Sequence, residues 1–178
     1  MKNIETNWYV LTGGPCSGKS TTLEHLSSKG YLVIPEMARV VIDEGLTAGQ
    51  TIDQIRGDEI SFQSRVLDRK IKLERELSVD SITFLDRGMP DTIAYYRNLG
   101  ISVPVFLLGQ PEWRYKSVFF MEQLPFTNDY GRIESEEDAL KLSTMLYMSY
   151  IECGYTLIKV PIMSVEERAK FIIEKVTK

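Results

Sequence analysis

The stretch Gly13-Gly14-Pro15-Cys16-Ser17-Gly18-Lys19-Ser20 decides the fold of this chain, because it fits the phosphate-binding loop pattern G-x-x-x-x-G-K-[ST]. The glycines allow a tight turn that points successive backbone N–H groups inward, where they form a nest for phosphate oxygens. We expect a helix to begin at Lys19 or Ser20, so that its positive N-terminal dipole faces the same anion. In this pattern the lysine places a charge on the β- and γ-phosphates, and the Ser20 hydroxyl is a ligand for Mg²⁺.

The segments around this loop supply the context that the pattern requires. Residues 8–12 are rich in β-branched and aromatic side chains and predict a buried strand. After the loop, Leu23 and Leu26 share one face of a helical pattern that Gly30 ends. This order favours a phosphate loop over an ordinary glycine turn, and we interpret Cys16 as a tolerated loop position rather than a nucleophile. The predicted nucleotide-binding residues are Gly13, Gly14, Pro15, Cys16, Ser17, Gly18, Lys19, Ser20 and Thr21.

Composition narrows the class of protein. The 178 residues predict one domain with room for a core, and 43% hydrophobic with 26% charged residues is typical of soluble proteins. A formal net charge of −4 argues against nucleic acid as the main partner. Cys16 and Cys153 lack metal-binding spacing, and we see no secretory signal or membrane-spanning run, so we expect a cytoplasmic protein. The single histidine, His25, argues against a histidine-rich metal site and a Ser-His-Asp triad; we interpret it as a surface helix residue.

Four further short apolar segments predict strands, at residues 31–34, 81–85, 117–121 and 156–160. Helical patterns separate them: one from Met37 that Gly45 closes, one or two helices over residues 52–77, one with Pro90 in its first turn, one from Ser135 to about Cys153, and one capped by Ser164. The alternation predicts an α/β fold with a five-stranded parallel sheet, helices on both faces and right-handed crossovers. Ligands bind such sheets at the carboxyl ends of the strands.

Two charged pairs follow strands at that edge. Asp86 ends the third strand, as does the carboxylate that helps to hold Mg²⁺ in phosphate-loop enzymes; the alternative is a cap for the next helix. Arg87 beside it suits a substrate or transferred phosphate, or else a surface ion pair. Glu36 follows the second strand, where it can accept a proton from a substrate hydroxyl or complement a helix dipole. Arg39, one turn on, either binds substrate or pairs with Glu36.

Residues 124–134 are polar and rich in turn formers, and they precede a predicted helix. A lid over the phosphates needs such a segment and one cation, which Arg132 supplies. The alternative is a solvated connector without a catalytic part.

These motifs together resemble a family of small P-loop proteins usually described as AAA-type predicted ATPases, which is similar to the nicotinamide-riboside kinase domain of the bacterial NAD-regulatory protein. The likeness spans nearly the whole chain and includes Pro35-Glu36, residues 84–88 with Pro90-Asp91, and residues 125–132. It implies strand order 2-3-1-4-5, Glu36 as the base and Asp86-Arg87 as the pair after the third strand. The chain lacks a sensor or arginine-finger signature, and only Arg132 represents the several lid arginines of similar kinases. Some eukaryotic relatives are described as binding GTP and phospholipid.

We therefore predict a Mg²⁺-dependent protein that binds ATP or another nucleoside triphosphate and transfers the γ-phosphoryl group to a small, hydroxylated, nucleoside-like metabolite. One alternative is a regulatory nucleotide switch with slow hydrolysis, whose output is binding a protein or a lipid. Another is a scaffold with a vestigial loop, against which the intact Lys19 and Ser20 argue. A kinase predicts a second pocket beside the γ-phosphate, lined by Glu36, Arg39 and Arg87. A switch predicts an exposed apolar surface that changes with the nucleotide.

Overall fold

The computed structural model describes residues 4–109, 112–124 and 136–177, and their helices and strands alternate along the chain. The strands are β1 (Ile4–Glu5), β2 (Trp8–Thr12), β3 (Leu32–Ile34), β4 (Thr83–Asp86), β5 (Trp113–Arg114), β6 (Ser117–Met121) and β7 (Leu157–Val160). The α-helices are α1 (Lys19–Ser28), α2 (Met37–Thr47), α3 (Ile52–Arg56), α4 (Glu59–Glu76), α5 (Met89–Asn98), α6 (Glu136–Glu152) and α7 (Val165–Val176). A short 3₁₀ helix spans Val105–Leu108.

Five parallel strands form the main sheet in the order β3-β4-β2-β6-β7. Counted over the five strands expected from the sequence this is 2-3-1-4-5, so the predicted fold class and strand order are confirmed. The strand before the phosphate loop is therefore central, with Leu11 beside Asp86 on one side and Phe119 on the other. The phosphate loop, Asp86 and Glu36 lie at the same edge of the sheet because all three end or follow parallel strands.

Strand β2 is buried on both faces, and its alternating side chains enter two cores. Tyr9 and Leu11 pack in a cluster with Leu26 of α1 and Ile172 of α7. Trp8 and Val10 point to the opposite face of the sheet, into a second cluster that includes Tyr150 of α6. Each such side chain stabilises the fold by roughly 1.5–3 kcal/mol when fully buried.

The second helix does not end where the sequence predicted. We expected Gly45 to close it, yet α2 continues to Thr47. The reason is packing, because a Cβ on Gly45 would lie 2.6 Å from side-chain carbons of Ile55 in α3. This glycine allows α3 to approach α2 closely, so the segment predicted as a loop from Leu46 begins later.

Residues 52–77 form two helices, which was one of the two predicted arrangements. Thr51 and Gln54 make a reciprocal capping box at the start of α3. Asp58 starts α4, where its side chain accepts hydrogen bonds from the amides of Ile60 and Ser61. Pro90 lies in the first turn of α5, and Ser164 caps α7 with Glu167, as predicted.

The sequence did not indicate β1 and β5, which form a separate two-stranded parallel sheet. Strands of two residues carry no alternation of apolar and polar side chains, so their pairing depends on tertiary contacts. The predicted cap at Ser135 and most of the predicted lid, residues 125–135, lie outside the described residues. Within the described part of the chain, no helix is long and apolar enough to span a bilayer.

Candidate nucleotide and acceptor site

The phosphate loop has the backbone shape that its glycines predict. Gly13 has φ +142° and Gly18, which precedes α1, has φ +76°, both in the region that favours glycine. A Cβ on Gly13 would also lie 2.7 Å from the carbonyl oxygen of Met121. Cys16 adopts φ +59° without being glycine. Such a conformation costs an ordinary residue about 1 kcal/mol or more, so the surrounding contacts impose the shape of the loop.

The carbonyl oxygens of the phosphate loop are used in hydrogen bonds within the protein, whereas most of its backbone N–H groups are not. Its carbonyl oxygens accept hydrogen bonds from Lys19, Ser17, Thr22 and Arg168. Its backbone N–H groups from Cys16 to Ser20 donate to no other described residue. A row of unused amides at the N-terminus of a ten-residue helix is an arrangement that binds phosphate oxygens.

Lys19 lies folded against the loop. Its ammonium group donates to the carbonyl oxygens of Gly13 and Gly14, both at 3.0 Å, and to the Ser17 hydroxyl at 3.1 Å. Burial, followed by the charge of Arg87, lowers the pKa of Lys19 to about 8, although nearby carboxylates oppose the shift. Lys19 is therefore a cation at neutral pH whose charge is incompletely balanced by nearby carboxylates. A bound phosphate would supply the missing negative charge.

Asp86 is the last residue of β4, on the strand adjacent to β2, and 7% of it is exposed. Its Oδ1 atom is buried without a hydrogen-bond partner among the described residues. Burial raises the pKa of Asp86 to about 6, against the opposing effect of Lys19. Asp86 does not cap α5, which was its alternative role. Asp91 instead accepts the hydrogen bond from the Gly88 amide at the start of α5, at 2.8 Å.

The Oδ1 atom of Asp86, which lacks a partner among the described residues, is a suitable ligand for a divalent cation. Together with the exposed hydroxyl of Ser20 it would hold Mg²⁺. The described residues contain no group of three or more His, Cys, Asp or Glu that could hold a metal. Proteins usually bind Mg²⁺ through one or two carboxylates, water and the phosphates of the nucleotide.

The turn from β4 into α5 is fixed by a buried polar network. Arg87 has φ +71°, and the Asp91 carboxylate beneath it accepts four hydrogen bonds. The donors are Thr12 Oγ1 at 2.6 Å, the Gly88 amide at 2.8 Å, Arg87 Nη1 at 3.2 Å and the hydroxyl of Tyr150. On the other side Lys70 Nζ donates to the Gly88 carbonyl at 2.8 Å. This network orients the Arg87 guanidinium toward the neighbouring strand.

Glu36 meets Arg87 there, with Arg87 Nε donating to Glu36 Oε1 at 2.8 Å. The Arg87 side chain is buried and that of Glu36 is half-buried, so the surface ion pair, the alternative role for Arg87, is wrong in location. Pairing with Glu36 was one of the two roles considered for Arg39, and the structure does not show it. Burial favours a higher pKa for Glu36, but the charges of Arg87 and Lys19 outweigh it and hold that pKa below its usual value. Glu36 occupies the N-cap position of α2, yet its side chain makes no cap hydrogen bond.

A cavity of about 430 Å³ opens beside this pair. Its volume is within the usual range of small-molecule sites, about 300–1,000 Å³. Glu36, Arg39 and Arg87 all line it, which is the combination that a kinase predicts. The remaining wall comes from α2, α4 and α5 and includes Met37, Ala38, Ile42, Asp43, Arg56, Phe62, Gln63, Val66, Lys70, Asp91, Thr92 and Tyr95.

Several of the predicted residues thus lie together. Lys19, Glu36, Asp86 and Arg87 are close enough to shift one another's pKa. Ser20 and Thr21 lie exposed at the start of α1, and Arg39 lies exposed at the cavity. Arg132 lies outside the described residues, so its place stays a prediction.

Sequence reasoning missed three charged residues. Lys70 and Glu74 occupy buried positions of α4 on the same face as Val66, where a charge within an apolar helical pattern was the available signal. Arg168 of α7 is 2% exposed, donates to the Ser17 carbonyl, and has two further nitrogens without a hydrogen-bond partner among the described residues. Arg168 had no such signal, because its partner lies 151 positions away in the sequence.

The sheet order, the loop and the carboxylate on the adjacent strand define a P-loop nucleotide-binding protein. A family model described as an AAA domain matches residues 8–168, and the chain belongs to that family. A curated relative is the dephospho-CoA kinase of Corynebacterium glutamicum, 40% identical over 62 residues, which are 34% of this chain and 32% of that enzyme. The matched segment therefore spans about a third of the relative.

Solved structures share the fold. Deoxyadenosine kinase from M. mycoides, solved with dCMP and dCDP, gives a TM-score of 0.66 at 15% identity and covers 96% of this chain and 98% of that chain. The NadR protein in complex with NR gives a TM-score of 0.69 at 16% identity and covers 97% of this chain but 52% of that chain. The chain thus spans about half the length of NadR. The resemblance expected from the sequence is confirmed at the level of family and fold.

Proposed function

We propose that this protein is a Mg²⁺-dependent phosphotransferase that moves the γ-phosphoryl group of ATP to a hydroxyl group of a small metabolite. The observation that carries the proposal is the cavity next to the Glu36–Arg87 pair, which is lined by a carboxylate, Glu36, and two arginines, Arg39 and Arg87. A simple hydrolase needs no second cavity, since its acceptor is water. The named activities of the relatives, a dephospho-CoA kinase and a deoxyadenosine kinase, support the same class of reaction.

Each residue has a role in this reaction. The loop amides and Lys19 hold the β- and γ-phosphates, and Arg87 faces the transferred group from the β4 side. The acceptor hydroxyl lies near Glu36; its oxygen forms the new bond to phosphorus while the bond from phosphorus to the β–γ bridging oxygen breaks. The hydroxyl proton passes to Glu36. Mg²⁺ at Ser20 and Asp86 would neutralise the charge that develops on the phosphates. Arg132 is proposed to approach the phosphates from the lid.

The low pKa of Glu36 bears on that step. A carboxylate paired with arginine is a weak base, so proton transfer is expected late, when the phosphoryl group is largely transferred and the hydroxyl has become acidic. An acceptor that draws Arg87 toward the phosphate would weaken the pair and strengthen the base. The ion pair thereby links base strength to occupation of the site.

A screen for phosphoryl transfer tests the proposal. Purified protein is incubated with Mg-ATP and a panel of hydroxylated metabolites that includes nucleosides, and ADP release is compared with and without each acceptor. We expect at least one acceptor to stimulate ADP release in the wild type and not in Lys19→Ala, which lacks the loop cation. Acceptor-independent hydrolysis alone, across the whole panel, contradicts transfer to a metabolite.

A second candidate function, a nucleotide-dependent switch, is favoured by one feature. Val105, Phe106 and Leu108 form an exposed apolar surface, with Val105 83% exposed. A switch would bury such a surface against a protein or a lipid in one nucleotide state. Hydrogen exchange at Val105–Leu108 that differs between the ATP-bound and ADP-bound protein would favour the switch, and identical exchange would favour the enzyme.

A further inference from the structure

We propose that the acceptor carries a negatively charged group, which Lys70 and Arg39 bind in the cavity next to Glu36. The inference rests on the proposed function, because it concerns the acceptor of that reaction. It adds a class of substrate, a hydroxylated acid or phosphate ester, and a residue, Lys70, that the catalytic scheme does not use.

Lys70 is a buried cation with unused donors. It lies on α4, is 5% exposed, and lines the cavity. Its ammonium group has three N–H donors but makes one hydrogen bond to the described residues, to the Gly88 carbonyl at 2.8 Å. Burying an ammonium group is costly unless it is paired and hydrogen-bonded. A ligand oxygen in the cavity would accept the remaining hydrogen bonds.

The other charges near Lys70 do not compensate it fully. Burial lowers the pKa of Lys70, and this effect exceeds the opposite one from the carboxylates of Asp91 and Glu74. Asp91 already accepts four hydrogen bonds, and the Glu74 carboxylate accepts hydrogen bonds from Trp113 and Tyr115. Neither carboxylate bonds directly to the ammonium group, so an added anion would stabilise it.

The lining carries four basic and three acidic side chains, and its ion pairs leave the positive charge concentrated at Lys70 and Arg39. Arg87 pairs with the carboxylates of both Glu36 and Asp91, and Arg56 pairs with Glu59, which is not part of the lining. Lys70 and Arg39 then face a single remaining carboxylate of the lining, that of Asp43.

Arg39 supplies a second donor group for the anion. It is exposed on α2, and within the described part of the chain its side chain makes no hydrogen bond or ion pair. An arginine at the rim and a lysine at the wall can bind one carboxylate or phosphate from two sides. These two side chains would repel a cationic group placed between them, so this part of the cavity favours an anionic group over a cationic one.

Matched pairs of ligands test the inference. One pair is a nucleoside and its 5′-monophosphate; the other is a polyol and the aldonic acid of the same carbon skeleton. Binding is measured by calorimetry with Mg²⁺ and a non-hydrolysable ATP analogue present, so that the phosphate loop is filled. The first pair reports on a phosphate ester and the second on a carboxylate, which separates the two sources of negative charge.

The variants are Lys70→Met and Arg39→Gln, with Lys72→Met as the control, since Lys72 is exposed on the same helix and away from this cavity. We expect the anionic member of at least one pair to bind the wild type more tightly than its neutral partner. Each variant should lose roughly 10- to 100-fold of that affinity, the usual worth of a charge-assisted hydrogen bond, and the control none. If Lys70→Met does not fold, the exposed Arg39→Gln decides.

Equal binding within both pairs, no binding by any of the four ligands, or full affinity in Arg39→Gln would overturn the inference. Phosphoryl transfer is measured in parallel with Mg-ATP and keeps the two proposals apart. Anion binding that depends on Arg39 without transfer supports the inference and counts against the phosphotransferase. Transfer confined to neutral acceptors supports the phosphotransferase and overturns the inference.

Discussion

Ionised Asp86 is stabilised poorly by the protein alone. Its Oδ1 atom is buried without a described partner, and Lys19 bonds instead to loop carbonyls and the Ser17 hydroxyl. Groups in this condition are common at functional sites, where a ligand supplies the missing interaction. A bound nucleotide phosphate and a divalent cation would supply the interactions that Lys19 and Asp86 lack, and without them the fold is less stable.

Substitution of this carboxylate should stabilise the unliganded protein. Asp86→Asn removes a buried charge whose pKa is raised to about 6, so at pH 7 we expect the free energy of unfolding to rise by on the order of 1–2 kcal/mol. The gain should fall as pH is lowered from 6 to 4, because the folded wild type takes up a proton there before the unfolded chain does. Urea denaturation across this range measures it. A less stable Asp86→Asn protein at pH 7 would contradict the account.

The same pKa predicts how the metal effect depends on pH. A protonated carboxyl is a poor Mg²⁺ ligand, so the gain in nucleotide affinity on adding Mg²⁺ should decrease as pH falls through about 6. Calorimetry with and without Mg²⁺ at pH 5 and pH 7.5 measures this gain. Asp86→Asn is the control, because the nucleotide's own phosphates also titrate in this range and their effect remains in the variant. Identical pH profiles for the two proteins would remove Asp86 from the metal site.

At the scale of elements, the start of α5 is held by two tyrosines. Tyr150 of α6 donates to Asp91 and accepts from the Gly88 amide at 3.0 Å. Tyr115 donates to Glu74 at 2.7 Å and accepts from the Met89 amide at 2.8 Å. These hydroxyls join α4, α5 and α6 at the turn that carries Arg87, so the position of Arg87 depends on the packing of these helices.

Removal of one of these hydroxyls should therefore loosen the turn. Tyr115→Phe leaves the buried Glu74 carboxylate and the Met89 amide each short of a hydrogen bond, and we expect a loss of roughly 1–3 kcal/mol in the free energy of unfolding. Tyr147→Phe is the matched control, since Tyr147 is a half-buried tyrosine whose hydroxyl has no hydrogen bond among the described residues. Equal stability of the two variants would show that the hydrogen bonds of the Tyr115 hydroxyl do not stabilise the fold.

The elements also show which features a sequence can predict. The strand order followed from strands and helices that alternate, and the caps at Ser164 and Pro90 followed from local chemistry, because both signals lie within a few residues. Gly45 misled because its role depends on Ile55, which packs on it from another helix. Arg168 was missed for the same reason, as its hydrogen-bond acceptor lies 151 positions away, whereas Lys70 leaves a local signal, a charge within an apolar helical pattern, that does not reveal its acceptor 18 positions away.

At the scale of the molecule, the phosphate loop divides the carboxyl edge of the sheet. On one side Asp86 ends β4 and Glu36 follows β3, and the cavity proposed to hold the acceptor lies beside Glu36. On the other side β6 and β7 precede the described start of the lid segment and the helix with Arg168. A triphosphate bound to the loop with its γ-phosphate toward Glu36 must extend its nucleoside toward β6 and β7. In the proposed reaction, the order of strands would therefore separate the acid near the metal, Asp86, from the acid near the acceptor, Glu36.

This separation leads to a prediction that distinguishes a kinase from a hydrolase or a switch. Glu36→Gln keeps an oxygen that can accept the hydrogen bond from Arg87, now at 2.8 Å, so the turn and the nucleotide site should survive. Without a carboxylate to take the hydroxyl proton, transfer to the acceptor should fall by roughly 10²–10⁴-fold. Binding of Mg-ATP, measured by calorimetry, should change by less than about two-fold, because among the described residues Glu36 makes no hydrogen bond to the phosphate loop.

Asp43→Asn and Asp86→Asn complete the comparison. Asp43 lies on α2 and lines the same cavity, so its variant tests whether any lost carboxylate there is enough to stop transfer. Asp86→Asn should weaken Mg²⁺-dependent binding and every reaction of the nucleotide, because the metal site itself is lost. If turnover persists in Glu36→Gln and disappears in Asp86→Asn, the metal acid alone is essential. In that case Glu36 serves the start of α2 and the position of Arg87, and the protein is a hydrolase or a switch rather than a kinase.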